Sequence, residues 1–363
     1  MISNRSRLAR LASFACIAGT LLVGMLGQSK THIAAAQTPD ANLDPAFRQL
    51  WDCTDLPVSV HRADRAWIWG PQAIAAKEEP YAEGAAGQHM VEYFDKGRME
   101  IAGPTRQGEP LAGVSSGLLV VEMISGRVRT GRDRSVQKVP STAPLAGDDL
   151  APSQALTYAS LARVASLTGD NPATDRTGQM VLESLDAVGR VTPAPSAPRE
   201  VKYAHFEPTL KHNMPGIFWD YLHSKGLIYS GGIYSNDTLL TGACGGNWID
   251  TVGLPITEPY WITISRNGTK RHVLMQAYQR RILIYWQEKP AGYEVEAANT
   301  GRDYFNWRYG PVANPEQGAI SANPILVIAV TLLLAGGAVT AALLPRSGEA
   351  SDIVDPTRSN NAV

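Results

Sequence analysis

Residues 260–285 read YWITISRNGTKRHVLMQAYQRRILIY, and this stretch decides the fold class. Two runs rich in β-branched and aromatic residues, 260–265 and 270–278, flank Arg266-Asn267-Gly268-Thr269. Asn-Gly supplies the positive φ that a two-residue hairpin turn demands, so the runs are expected to pair antiparallel. A second hairpin is expected from strands 281–287 and 293–297 around Lys289-Pro290-Ala291-Gly292. The region reads as a small β-meander.

Working outward, the same order of features occurs in the first half. Glu79-Pro80-Tyr81 matches Glu258-Pro259-Tyr260, VEYFDKGRMEI at 91–101 matches MQAYQRRILIY at 275–285, and Gly126-Arg127 matches Gly301-Arg302. Spacing between the matched segments drifts, which places insertions in loops. Each copy follows a short aromatic helix candidate, 44–52 and 215–224, with Pro near its start. The expectation is one shared fold, with Tyr81 on Tyr260, Phe94 on Tyr278, Ile101 on Tyr285 and Arg127 on Arg302. Phe47 and Trp51 would cover the first meander, Phe218 and Trp219 the second. The apolar run 118–124 reads as a further strand, and 153–167 and 175–188 carry helix-like spacing of Leu, Val and Met. TPAPSAP at 192–198 reads as a stiff joint.

The two ends place the protein. Arg5, Arg7 and Arg10, an apolar run at 11–26 and Ala34-Ala35-Ala36 read as a signal peptide over 1–36, with a retained N-terminal anchor as the alternative. Residues 325–344, ILVIAVTLLLAGGAVTAALL, carry no charge. At about 1.5 Å rise per residue the run is about 30 Å long, the thickness of a bilayer core. It reads as a transmembrane helix, a buried soluble helix being the alternative. Arg346 and Arg358 follow it and Arg308 precedes it, which favours the tail inside and residues 37–323 outside. Signal removal takes Cys16 and leaves Cys53 and Cys244, expected as a disulfide in an oxidising compartment rather than as two separate buried thiols.

The expected fold class is α+β: two tandem small β-meander repeats with short helices, a helical insert between them, and one C-terminal transmembrane helix. The expected segments are the signal peptide 1–36, repeat 37–130, helical insert and linker 131–200, repeat 201–310, juxtamembrane linker 311–324, span 325–344 and cytoplasmic tail 345–363. The 363 residues carry a formal net charge of −1 with 18% charged residues. No basic run forms a patch, which argues against nucleic acid as a partner.

Gly253-Leu254-Pro255-Ile256-Thr257-Glu258, Gln276-Ala277-Tyr278 and Ile282-Leu283-Ile284-Tyr285-Trp286 resemble the LGFP repeat of bacterial cell-envelope proteins. The segments at 253–260 and 93–100 also resemble a group of uncharacterised exported proteins common in Chloroflexota. The first half departs from the LGFP pattern, with Trp69-Gly70-Pro71 in place of Gly-x-Pro. The resemblance implies attachment to wall or envelope glycans and supplies no binding residue.

Gly113-Val114-Ser115-Ser116-Gly117 matches G-x-S-x-G, but a nucleophile elbow needs a strand before the Ser and a helix after it, and the sequence reads the other way round. Ser135-Val136-Gln137-Lys138 matches S-x-x-K in a polar stretch unsuited to a buried helix start. His205, Glu207, His212 and His223 lack the close spacing of a zinc site, and His212-Asn213 reads instead as helix capping. No metal and no cofactor is expected. Trp67, Trp69, Trp248, Trp261, Trp286 and Trp307 lie in or beside the meanders, most of them as core. Trp248 and Trp261 flank the turn at Gly253 and are the candidates for stacking on a sugar ring. The reading is a single-pass, membrane-anchored extracytoplasmic binding or structural protein of the cell envelope, with an envelope glycan or another envelope protein as partner. The alternatives are an envelope-polymer hydrolase or transpeptidase, and an accessory subunit of a membrane complex, for which Gly337 and Ala341 supply small residues on the span.

Overall fold

The computed structural model describes residues 44–101, 114–194, 200–241, 244 and 247–311. The signal segment, the run 325–344 and the tail 345–363 lie outside these. Among the described residues no helix is long and apolar enough to cross a membrane. The body is mixed α+β, mostly sheet with a few short helices.

Helix α1 (Pro45–Thr54) begins behind Asp44, whose carboxylate accepts from Ala46 N at 2.8 Å. It buries Phe47, Leu50, Trp51 and Cys53, and the one-turn α2 (Leu56–Ser59) follows. Strands β1 (Ala73–Pro80), β2 (Gln88–Phe94), β3 (Arg98–Ile101) and β4 (Val114–Ser115) form an antiparallel sheet in chain order, closed by α3 (Leu119–Ser125). The hairpin β5 (Arg127–Arg129) and β6 (Ser135–Gln137) leads to β7 (Glu183–Leu185) and β8 (Val191–Pro193). A second hairpin, β9 (Tyr203–Glu207) and β10 (His212–Pro215), precedes α4 (Gly216–Leu222). A third, β11 (Lys225–Ser230) and β12 (Ile233–Thr238), precedes α5 (Trp248–Thr251). The last meander is β13 (Tyr260–Arg266), β14 (Thr269–Ala277), β15 (Ile282–Tyr285) and β16 (Val295–Ala297), closed by α6 (Thr300–Tyr309). Its sheet runs β16-β15-β14-β13-β7-β8, with β7 parallel to β13. Asn267 and Gly268 have φ of 50° and 70°, as the hairpin turn requires.

The two meanders correspond in register. Val91 pairs with Glu100 as Met275 pairs with Ile284, and Ile101 with Val114 as Tyr285 with Val295. Phe94 N donates to Gly97 O at 2.8 Å as Tyr278 N donates to Arg281 O at 2.9 Å. Phe94 and Tyr278 thus hold the same place, as do Ile101 and Tyr285. Gly70 (φ 132°) and Gly253 (φ 84°) also correspond: a Cβ on either would press on Asp95 or Gln279, one residue past Phe94 or Tyr278.

Other expected matches do not hold. Lys77 faces Val91 where Tyr260 faces Met275, so Tyr81, beyond the end of β1, has no counterpart in Tyr260. Arg127 opens β5, whereas Arg302 lies in the first turn of α6. Residues 118–124 are not a strand. Leu119, Val120, Met123 and Ile124 bury one helical face of α3, and Gly126, left-handed at φ 69°, stops the helix. The helical insert is not helical either: 153–167 yields one 3₁₀ segment, Ala159–Arg163, and 175–188 yields β7. Leu156 and Val181 are buried from irregular chain, Leu161 from the 3₁₀ segment and Leu185 from β7, so tertiary packing of mixed elements mimics helical spacing.

The described residues up to Gly310 cluster as one compact unit. Side chains alternate across each sheet, so neighbouring Tyr93 and Phe94 enter different cores. One core gathers Phe47, Trp51, Phe94, Phe218 and Tyr285; the other gathers Tyr93, Met123, Tyr158, Ile284 and Tyr304. Phe47, Trp51 and Phe218 therefore share a core instead of each helix covering its own meander. Cys53 is bonded to Cys244 with a Cα separation of 5.5 Å.

Candidate functional site

Beside β3, β4 and the start of α3 lies a polar cavity of about 310 Å³, bordered by Arg98, Glu100, Ser115, Arg129, Gln279 and Arg280. Tyr81 and His89 stack on its wall, ring centroids 4.5 Å apart. His89 Nδ1 is buried without a hydrogen-bond partner among the described residues.

Behind the cavity an ion network fixes the floor. Glu79 of β1, 2% exposed, accepts from Tyr309 Oη at 2.6 Å and from Tyr93 Oη, and meets Arg98 at 3.2 Å and Arg308 at 2.6 Å. Burial pushes its carboxyl up, but His89 and the charges of Arg98 and Arg308 outweigh burial and hold it far below the usual range. Arg98 also binds Glu100. Glu122 of α3 accepts from Tyr304 Oη, and its burial pushes its pKa up. Arg280 is different. Its Nε donates to Ile249 O at 3.1 Å and its Nη1 reaches Ser115 Oγ at 3.5 Å, but no carboxylate among the described residues pairs with it. Arg129 likewise donates to a carbonyl, Arg132 O at 2.9 Å.

Ser115 ends β4 and α3 begins at Leu119, so a strand precedes the serine and a helix follows it, opposite to the order read from the sequence. The backbone at Ser115 has no positive φ; its Oγ donates to Glu100 at 3.4 Å and meets Arg280, Glu100 is itself held by Arg98, and among the described residues no histidine is bonded to the serine. An activated nucleophile needs a base in that position. Ser135 sits on exposed β6, not at a helix start. His205 stacks on Trp219 at 3.9 Å, Trp219 lies 4.1 Å from the His223 ring, and His212 contacts Glu258 at 3.2 Å. Glu207 accepts from Thr209 N and Leu210 N. Among the described residues no group of three His, Cys, Asp or Glu is placed to hold a metal.

Trp248, 8% exposed, opens α5 behind the Asn247–Asp250 capping box. Trp261, 3% exposed, donates from Nε1 to Val181 O at 2.9 Å and borders a second cavity of about 650 Å³ beside Ser184, Lys270 and His272. Both residues are thus largely buried, with Trp261 on a cavity wall. Comparisons with protein-family models, curated proteins and solved structures give no match for the chain. The arginines around Ser115 escaped sequence reading because they come from β3, β5 and the β14–β15 hairpin and meet only in the fold. Arg98-Met99-Glu100, a charged pair inside a strand, was the available signal.

Asp303, in the first turn of α6, accepts from Tyr158 Oη at 3.0 Å, and burial pushes its pKa from 3.8 up to about 7. Because the folded value is the higher one, protonation favours the fold. That contribution is complete below about pH 3.8 and lost once pH rises past about 7. Melting curves from pH 4.5 to 8.5 should show a fall in Tm toward alkaline pH that Asp303→Asn flattens; parallel curves for the two proteins would refute the assignment.

Proposed function

We propose that this chain is an exported, membrane-tethered protein of the cell envelope that binds an envelope glycan or another envelope protein without catalysing a reaction. The carrying observation is the polar cavity: its wall carries several cationic donors, and the carboxylate that Ser115 Oγ meets, Glu100, is already paired with Arg98. The Cys53–Cys244 bond suits an oxidising compartment, and the matched meanders suit an internally duplicated envelope module. The sequence of the signal segment and of the run 325–344 supports a topology with residues 37–323 outside the membrane and 345–363 inside.

The strand-to-helix placement of Ser115 favours a second reading, an envelope-polymer hydrolase. One experiment separates the two. Full-length protein, detergent-solubilised and tagged at its C-terminus, is incubated with isolated envelope polymer and with solubilised membrane proteins. The binding reading expects a retained partner and intact polymer, with Ser115→Ala indistinguishable from wild type. Release of soluble fragments by wild type and not by Ser115→Ala would establish the hydrolase instead.

A further inference from the structure

The matched meanders create two matched niches, and one of them lacks its carboxylates. In each niche the hairpin after a meander's second strand receives the first turn of the helix that closes the other meander. Arg302 N of α6 donates to Asp95 O at 3.2 Å, and Val121 N of α3 donates to Gln279 O at 3.3 Å. The residues preceding these helices share one backbone conformation, φ −77° and ψ 46° at Asn299, φ −92° and ψ 49° at Leu118. Lys96 N donates to Trp69 O at 2.9 Å as Arg280 N donates to Val252 O at 3.0 Å. Glu296 stands opposite Ile284 where Ser115 stands opposite Glu100. Lys96 therefore corresponds to Arg280, Asp95 to Gln279, Asn299 to Leu118 and Glu296 to Ser115.

The first niche is filled by its own side chains. Lys96 Nζ donates to Asn299 Oδ1 at 3.0 Å, and the charges of Glu296 and Asp95 act on it. In the second, the same three positions are Leu118, Ser115 and Gln279, none of them acidic. The cation is retained as Arg280, its carboxylates are gone, and the 310 Å³ cavity opens there. Of the two acids on the wall, Glu100 is bound to Arg98 and Glu122 accepts from Tyr304 Oη, while Asp250 accepts from Asn247 N in the capping box. The charges of Glu100 and Asp250 act on Arg280 from a distance, but among the described residues no carboxylate meets it directly, and a ligand carboxylate would supply that contact. The His89 ring, with Nδ1 free among the described residues, faces the same space.

We infer that Arg280, assisted by Arg129, binds the carboxylate of a small acidic sugar in this open niche. A planar guanidinium takes a carboxylate bidentately, and a cavity near 300 Å³ fits one sugar unit. The inference deepens the binding reading above and rests on it.

Calorimetric titration of the full-length protein in detergent tests it with D-glucuronate, D-glucose and inorganic phosphate as probes. Saturable binding of glucuronate and none of glucose is expected, weakened at least tenfold in Arg280→Gln. Leu118→Asp places an acceptor where Asn299 serves Lys96, so it should raise Tm and abolish glucuronate binding together. Equal affinity for glucuronate in wild type and Arg280→Gln would overturn the site, as would Leu118→Asp lowering Tm while binding persists. Phosphate bound as tightly as glucuronate would overturn the choice of a carboxylate. Envelope polymer retained by a protein that ignores glucuronate sinks this inference alone; failure of both removes the binding reading as well.

Discussion

Replacing Cys53 and Cys244 together by serine should lower the melting temperature by about 10 °C or more. The bond joins residues 191 apart in sequence and ties α1 to the segment before α5. Closing so long a loop removes about 5 kcal/mol of freedom from the unfolded chain in the chain-entropy account. Both sulfurs sit in the core that holds Trp51 and Trp248, each cysteine 2% exposed, so two hydroxyls there add a desolvation cost. Calorimetry with and without reductant measures the effect on wild type, and the serine pair measures it without reductant. A melting temperature unmoved in both would show that the bond contributes nothing.

The second large effect belongs to Glu79. Its carboxylate gathers Arg98, Arg308, Tyr93 and Tyr309, with Glu79 and Arg98 2% and 4% exposed. Truncation to alanine leaves buried cations facing one another and hydroxyls without an acceptor, which costs about 3–5 kcal/mol. Urea denaturation should show a clearly lower midpoint for Glu79→Ala. The exposed pair Arg271–Glu288, 44% and 43% exposed, is the control, and Glu288→Gln should change stability by less than about 1 kcal/mol. Equal midpoints for the two variants would mean that the network holds nothing together.

The parts of this fold that sequence revealed are those encoded locally. Asn267-Gly268 sets a turn by its own backbone preferences, and its flanking strands needed nothing else to be found. The cysteine pair was legible because, with Cys16 assigned to the signal segment, only two thiols were left to pair. By contrast, LLVVEMI at 118–124 is apolar but for Glu122 and carries no clear period, so only its neighbours decide between strand and helix. The matched Glu-Pro-Tyr segments misled because three residues do not fix register; the ladder hydrogen bonds aligned Lys77, not Tyr81, with Tyr260. The cavity was hidden for a related reason. Arg98, Arg129 and Arg280 become neighbours only when the halves exchange helices, and no spacing along the chain announces that.

Helix α6 comes last among the described elements, yet its Arg308 neutralises Glu79 on the first strand of the first sheet, and its Arg302 holds Asp95. A chain made from its N-terminus therefore carries a complete first meander sequence long before that sheet can close. Until Tyr309 has emerged, Glu79 lacks Arg308 and the Tyr309 hydroxyl, and Tyr93 lacks the Tyr304 ring 6.1 Å away. Folding must wait for nearly the whole body to be present and then proceed as a single late event, slowed by contacts so distant in sequence. A product truncated anywhere before α6 would stay open and be available to proteases, so the helix also certifies that the described body is complete.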